Sequence, residues 1–476
     1  MFQYVRTMQG SLLFLDLGLG ATLNRFVSQL LAVDEMKRLN GAISFASLLF
    51  IGLGLMAGLI MTGIGFILPS LVTGGTVRLY RNGLLLMVSM GGALAMRFWG
   101  YAPRGILFGA QRYDIVNVIM VVAAILRAGM ITALFLTVKS AGLVTIGLCF
   151  LGCAVVDTLL TWTFAKRQLP SLRLGLRTIE RSMVKEVIGF SVWVTIMAVT
   201  TMLIINAPTF YVGRFYGPEE VAFMSLSLLV LSQVQQLSGG FAFALIPVAG
   251  KYAALKDQAS LQQIMVRGTK FCAVICFPFG VLAVLFAKPL FEWFKDGFGW
   301  TWVLLAIMML PILVRTTQRV PFSVLMGGGS VKWLALGQIF VVFAIGFLSW
   351  LFSEFFDMGL CGIALGSAIP IFLFGVIFQP IYACRQVGLK WLDYMRDSYT
   401  RVLLCTIPPA AVALILLKFA YPRGFVMICL ETLACLTVFA ALAWQFGLTA
   451  ADRHQILRLF QREHKYVTEI RNPSVR

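Results

Sequence analysis

Residues 142–164, GLVTIGLCFLGCAVVDTLLTWTF, carry one charged side chain, Asp157, and are apolar all round rather than on one face. About 20 such residues are what a helix needs to cross the hydrocarbon core of a bilayer. A membrane strand would instead alternate polarity over about ten residues. Gly, Pro and charge punctuation delimits further apolar runs at 10–32, 41–70, 82–103, 115–138, 186–209, 220–249, 264–289, 299–324, 331–353, 358–382, 400–418 and 424–446. With 59% hydrophobic and only 12% charged residues, an ordinary soluble domain is excluded. The pattern predicts an all-α polytopic membrane protein of about 13 transmembrane helices, with no room for an enzyme domain.

The net charge of +19 would raise the question of nucleic acid in a soluble protein; here it reports topology, and no nucleic-acid partner is expected. Lys and Arg in alternate connections, tail included, split 27 to 8. The rich set comprises 33–40, 104–114, 165–185, 250–270, 315–332, 384–401 and the tail from 451. Because basic residues accumulate inside, the 451–476 tail is expected in the cytoplasm and the N-terminus outside. Residues 1–10 resemble neither a basic leader nor a cleavable signal and read as the start of a spanning helix. The nine cysteines lie almost entirely in apolar runs and read as small core hydrophobes. His454 and His464 fall in the polar tail, so no metal site and no cofactor is expected.

A weak internal repeat relates "FQYVRTMQGSLLFLDLGLGATLNRFVSQLLAVDEMKRL", from Phe2, to "VAFMSLSLLVLSQVQQLSGGFAFALIPVAGKYAALKDQASL", from Val221. Each passes through a glycine-containing middle into a short charged loop before another spanning helix. Duplicated halves are common in transporters, which bind substrate near mid-membrane. In the second copy a further helix and the turn "GRFYGPEE" come first, so homologous halves would leave the first copy one helix short.

The segments "LDLGLGATLNRFVSQLLA" (15–32), "RGILFGAQRYDIVNVIMVVAAILRAGM" (104–130) and "YVGRFYGPEEVAFMSLS" (211–227) resemble polysaccharide exporters, the Wzx-like O-antigen and teichoic-acid flippases of the MOP superfamily, which also holds MurJ-like and MATE transporters. The resemblance implies a flippase of undecaprenyl-diphosphate-linked oligosaccharide in the cytoplasmic (inner) membrane, with two pseudo-repeated lobes around a cationic central cavity and 14 helices in the family form. This chain would then start inside the second of them. The expected division is an N-terminal lobe at 1–165, a basic cytoplasmic linker at 166–185, a C-terminal lobe at 186–384, two additional helices at 385–450 and the tail. Implied partners are the lipid-linked oligosaccharide, the bilayer, and polymerase or glycosyltransferases of the same pathway.

Charges at membrane depth cost at least about 2.5 kcal/mol each on insertion scales, so they normally face a cavity or a partner. Arg25, Arg97 and Arg127 lie in or beside apolar runs, as do Asp16, Asp157 and Glu431. Arg127 has two readings, a cavity-lining cation or an ion pair with an acid such as Asp157; Arg25 either lines a cavity or snorkels to the interface. Arginine suits a diphosphate because its planar fork makes paired bonds to phosphate oxygens, and every membrane-depth basic residue is Arg although 13 of the 39 basic residues are Lys. Arg315 and Arg319, spaced i, i+4, form either a cytoplasmic clamp on the substrate or a positive-inside anchor. Asp16, Gly18 and Gly20 read as a bend with close backbone approach, Asp16 being also a possible partner for a cavity arginine. Arg104 belongs to the 104–130 segment, in which Arg112 and Asp114 read as a cap or loop pair; Gly217 and Pro218 read as a helix break and first turn. The stretch 166–185 suggests an amphipathic linker lying on anionic lipid.

Three function classes compete. The flippase fits the sign of the buried charge; a MATE-like cation or drug antiporter needs intramembrane carboxylates, which are few; a membrane glycosyltransferase needs acidic or His clusters in a sizeable loop. No GxxxxGK[ST] loop points to ATP hydrolysis.

Two outcomes are expected from this reading. Reporter fusions at 175, 260 and 392 should all report a cytoplasmic location, and a periplasmic signal at any one would break the helix count. If a helix is missing, in-frame DNA upstream should encode about 20 apolar residues followed by a turn resembling "YGPEE".

Overall fold

The structure, a computed structural model, describes residues 9, 12, 16, 18–71, 77–137, 142–447 and 453. The expected external N-terminus and cytoplasmic tail therefore lie outside the described residues, apart from those few positions. In lipid every backbone polar group must be satisfied within the segment, which leaves helices for sequences of this kind. The described residues are nearly all helical: α1 Leu19–Ala32, α2 Met36–Leu71, α3 Val77–Gly109, α4 Tyr113–Thr137, α5 Leu143–Gln168, α6 Arg181–Phe215, α7 Pro218–Gln236, α8 Gly239–Ala254, α9 Gln258–Leu285, α10 Ala287–Phe294, α11 Trp302–Thr317, α12 Arg319–Gly328, α13 Lys332–Trp350, α14 Gly359–Leu373, α15 Gln379–Val387, α16 Trp391–Phe419 and α17 Phe425–Leu442.

Eleven segments are long and apolar enough to cross a membrane, and α7 with α8, bent by 42°, makes a twelfth. Each of these twelve falls on an expected run. Among the described residues the first run, 10–32, contributes α1, a helix of 14 residues. The count of 13 is thus not reached among the described residues. The run at 220–249 is a broken span. Leu237 and Ser238 interrupt it before the Gly239–Gly240 pair, Ser238 Oγ donating to Thr316 O at 3.3 Å. In the first repeat copy α1 starts directly after Gly18, whose φ of 66° lies in the left-handed region that glycine enters without strain. In both copies a helix of 14 or 16 residues then leads through a short loop into a long span.

The chain forms two compact units. Unit 1 comprises 1–199, 244–258 and 324–335. In it α3 packs on α2 and α5, and small residues set the spacing, as membrane helices require: a Cβ added to Gly91 would lie 2.9 Å from Gly58 O. The linker at 166–185 is not one continuous helix. Pro170 and Gly175 interrupt it, leaving a three-residue 3₁₀ turn at Leu176–Thr178, and the segment docks on the start of α2. There Asn40 Nδ2 donates to Ser171 O at 3.3 Å, Gly175 N to Ser44 Oγ at 3.2 Å, and Lys37 pairs with Glu180 at 3.2 Å.

Unit 2 comprises 200–243, 259–323 and 336–476. Its core gathers Val212, Met224 and Leu231 from α6 and α7 around Leu304, Met308 and Ile312 of α11, with Ile363 and Ala364 of α14 on another side. The break between α11 and α12 is stabilised by buried polar groups. Gln318 Nε2 donates to Tyr399 Oη at 2.9 Å and Tyr394 Oη at 3.2 Å, and Gln379 Nε2 donates to Gln318 O at 2.5 Å. Among the described residues the nine cysteines are free thiols, seven of them buried.

Gly91→Val should force α2 from α3 and lower the melting temperature of purified protein, by an overpacking cost of about 1–3 kcal/mol. Gly52→Val on α2, where nothing lies within 4 Å of an added Cβ, should leave it near the parent.

Candidate functional site

The spacing of three helices builds a cationic cavity inside unit 1. On α3, Arg97, Tyr101 and Arg104 recur at i, i+4 and i+7 and so share one face. On α4 the stripe is Met120, Ala123, Ala124 and Arg127; on α5 it is Phe150, Cys153, Ala154 and Asp157. The three stripes line one cavity of about 260 Å³. The alanines leave room where a larger side chain would fill the space.

Inside it, Arg104 Nη2 donates to Asp157 Oδ2, an ion pair whose side chains are 20% and 12% exposed. Thr158 Oγ1 donates to Met96 O at 2.9 Å and Thr161 Oγ1 to Asp157 O at 2.6 Å, which tie α5 to α3 and fix the turn that carries the carboxylate. Asp157 Oδ1 is buried and accepts no hydrogen bond among the described residues. The reading that pairs Arg127 with Asp157 is corrected here: the acid is engaged by Arg104, two turns along α3 from Arg97. Arg127 instead stacks its guanidinium 5.1 Å from the Phe150 ring centre. Among the described residues neither Arg97 nor Arg127 has a carboxylate partner within ion-pair distance. The cavity therefore holds three guanidinium groups against one carboxylate, and its excess charge is positive.

The other expected site residues lie elsewhere. Arg25 does not line this cavity. Its guanidinium is 4.3 Å from the Phe190 ring centre and 4.9 Å from that of Phe26, and a Cβ at Gly329 would collide with it. Its Nε is buried without a hydrogen bond among the described residues. Two aromatic faces hold the Arg25 guanidinium. Asp16 accepts from Gly18 N at 2.7 Å, a local turn that sets the break before α1, while an added Cβ at Gly20 would meet Asp16 Oδ2 at 3.6 Å. Arg319 donates to Gln235 O at 2.7 Å, placing a cation on the last turn of α7. That bond removes it from a matched clamp with Arg315, which makes no hydrogen bond or ion pair among the described residues. Arg112 grips Asp114 through Nε and Nη2 at 3.0 and 2.9 Å at the start of α4. Gly217, at φ 117°, precedes Pro218 in the first turn of α7, with Glu219 and Glu220 beside it. The sequence reading does not single out Tyr101 or Phe150, although the i, i+4, i+7 stripe on α3 carries a signal for the first. Among the described residues no group of three or more His, Cys, Asp or Glu is placed to hold a metal.

Residues 103–303 match a family model described as "Polysaccharide biosynthesis protein", a range that begins beside Arg104 and takes in Arg127 and Asp157. A protein of Shigella flexneri named "Putative O-antigen transporter" is 20% identical over 200 residues, 42% of this chain and 47% of that one. "Uncharacterized membrane protein EpsK" of Bacillus subtilis (strain 168) is 22% identical over 313 residues, 62% of this chain and 58% of that one. The chain thus spans about half the length of these curated relatives. A crystal structure of a MATE protein in the bent conformation superposes with a TM-score of 0.68 at 14% identity, covering 82% of this chain and 86% of that one. The bent form of the Vibrio cholerae MATE transporter VcmN gives 0.64 at 13%, covering 83% and 89%.

These likenesses are to proteins described by polysaccharide biosynthesis and transport. The fold is that of the MATE transporters, and relatives whose names state an activity are transporters, in line with the expectation that this is no enzyme.

Removing Arg104 strands a part-buried carboxylate, which costs about 3–5 kcal/mol at a fully buried site and less at one this exposed. Arg104→Gln should therefore lower the thermal stability of purified protein, and Arg104→Gln with Asp157→Asn should recover much of it. Additive losses would show that the pair is not coupled.

Proposed function

We propose that the protein is a flippase moving undecaprenyl-diphosphate-linked oligosaccharide across the cytoplasmic membrane for surface polysaccharide export, by alternating access. The observation that supports it most is the sign of the cavity charge. Asp157 is engaged by Arg104, so Arg97 and Arg127 present an uncompensated positive field at membrane depth. Such a field is costly in lipid unless an anion offsets it at some stage of the cycle. A diphosphate brings two groups of oxygens that match guanidinium forks, whereas a cation or cationic drug would be repelled. The relative named as an O-antigen transporter points to the same substrate class.

In this reading Arg127 and Arg97 hold the phosphates, Phe150 fixes the plane of the Arg127 fork, and Arg104 with Asp157 fixes the wall. Arg25 acts outside this cavity as a second cation on the path. The lobes 1–165 and 186–384, the cytoplasmic tail and pathway partners such as polymerase and glycosyltransferases belong to the same proposal.

Glycan export in a flippase-deficient strain, with membrane protein levels measured in parallel, tests it. Arg127→Ala should lower export by roughly tenfold or more, the worth of one charge-assisted contact. Arg127→Lys should be nearly as costly, because it keeps the charge and loses the fork. Arg25→Ala should have a smaller effect. If Arg97→Ala and Arg127→Ala both accumulate normally and export at the parental rate, the proposal is wrong.

A further inference from the structure

A second cavity of unit 1 lies on the far sides of α3 and α5 from the candidate site. The 3.6-residue period places Leu159, Trp162 and Lys166 about half a turn round α5 from Phe150, Cys153 and Asp157. Trp99 stands likewise about half a turn round α3 from Arg97 and Tyr101. The cavity measures about 890 Å³, within the roughly 300–1,000 Å³ of small-molecule sites. α2 and α5 form its sides, Trp99 of α3 lies between them, and the linker crosses one end from α5 to α2, where Gly175 N donates to Ser44 Oγ.

The lining is graded along the helices. At the linker end stand Lys166 and Arg167, in the last turn of α5. One turn further in come Trp162 of α5 and Ser47 of α2, and beyond them Leu159 and Ile51. The middle level carries two orphaned donors. Trp162 Nε1 and Ser47 Oγ are buried and make no hydrogen bond among the described residues, and each residue is 7% exposed. The Trp162 ring packs 6.2 Å from that of Trp99. An indole N–H can only donate, so the group that would satisfy it is an acceptor. Lys166 enters no ion pair or hydrogen bond among the described residues, and Arg167 meets only the Phe164 ring, 5.6 Å away. The carboxyl end of α5 favours cations there without any ligand. What they add is a sign, since none of the residues lining the cavity is acidic.

Cation, then hydrogen-bond donor, then apolar wall is the complement of one kind of molecule. In a glycerophospholipid the ester carbonyls stand next below the phosphate and the acyl chains below them. We infer that this cavity holds one anionic glycerophospholipid, its phosphate at Lys166 and Arg167, an ester carbonyl accepting from Trp162 Nε1 and Ser47 Oγ, and a chain along Leu159 and Ile51. The site uses neither Arg97 nor Arg127 and is independent of the proposed transport function.

Purified full-length protein in detergent, titrated with three lipids and followed by native mass spectrometry, tests the inference. The lipids are phosphatidylglycerol, its diether analogue, which keeps headgroup and chains but lacks the carbonyls, and phosphatidylcholine. Phosphatidylglycerol should bind about fivefold more tightly than the diether, the worth of one hydrogen bond. It should exceed phosphatidylcholine by about tenfold or more, because two basic residues face its headgroup. Trp162→Phe with Ser47→Ala, which keeps a ring in place, should lose the preference for ester over ether and keep that for phosphatidylglycerol over phosphatidylcholine. Lys166→Gln with Arg167→Gln, at exposed positions, should do the reverse and unfold near the parental temperature without lipid. An ester that binds the parent no better than the diether overturns the inference, as does either variant that retains the preference it should lose.

Discussion

An ion pair between Arg104 and Asp157 holds the wall of the candidate site together, and much of unit 1 is arranged so that this pair can exist at membrane depth. A lone carboxylate at that depth is costly and calls for a partner. Paired, the two allow α3 and α5 to approach, and Thr158 and Thr161 then close the remaining polar groups of that turn onto backbone carbonyls. Gly100 makes the approach possible, since a Cβ there would already stand 3.1 Å from Thr158 Oγ1. The consequence reaches α4. With Asp157 consumed, Arg127 and Arg97 have no counter-charge among the residues lining the cavity, and Phe150 offers Arg127 a ring face in place of an anion.

The apolar runs read directly off the sequence because lipid imposes one requirement on all of them, about 20 apolar residues in a row. Features governed by partners rather than by solvent are harder to read. The run at 400–418 belongs to a helix that already starts at Trp391. Its first turns carry Tyr394, Ser398 and Tyr399, polar by composition yet buried; the two tyrosines meet Gln318, and Tyr394 also meets Thr269, so a hydropathy scale counts this stretch as loop. The broken span at 220–249 reads as continuous for the converse reason: Leu237 and Ser238 barely lower the hydropathy of the run, but they stand outside the helices that end at Gln236 and start again at Gly239.

Charge placement divides in the same way. Helical spacing puts Arg97, Tyr101 and Arg104 on one face, and this is legible in principle; which helix opposes that face is not. Phe190, far along the chain, shields Arg25, and Arg319 reaches back 84 residues to Gln235. The i, i+4 spacing of Arg315 and Arg319 suggests a shared role, but the turn at Gln318 falls between them and their duties differ. Local patterns transfer better. Gly217–Pro218 with two glutamates, and Arg112 with Asp114, are settled by neighbours within a few residues, which is the range over which sequence determines geometry by itself.

The residue types also separate two cationic cavities physically, the one between α3, α4 and α5 and another between α9 and α16. In unit 1 the basic groups are all arginine, set among alanines, and one of them lies over an aromatic ring; an arginine keeps its charge when desolvated and presents a rigid fork. In unit 2 the most buried cation is a lysine, at the border of the apolar run, with exposed arginines around it. A lysine is a compact, strongly hydrated charge, and it tolerates such a position when water or a headgroup remains within reach of its stem. The first arrangement is suited to gripping a ligand that must be held in a defined orientation and then released.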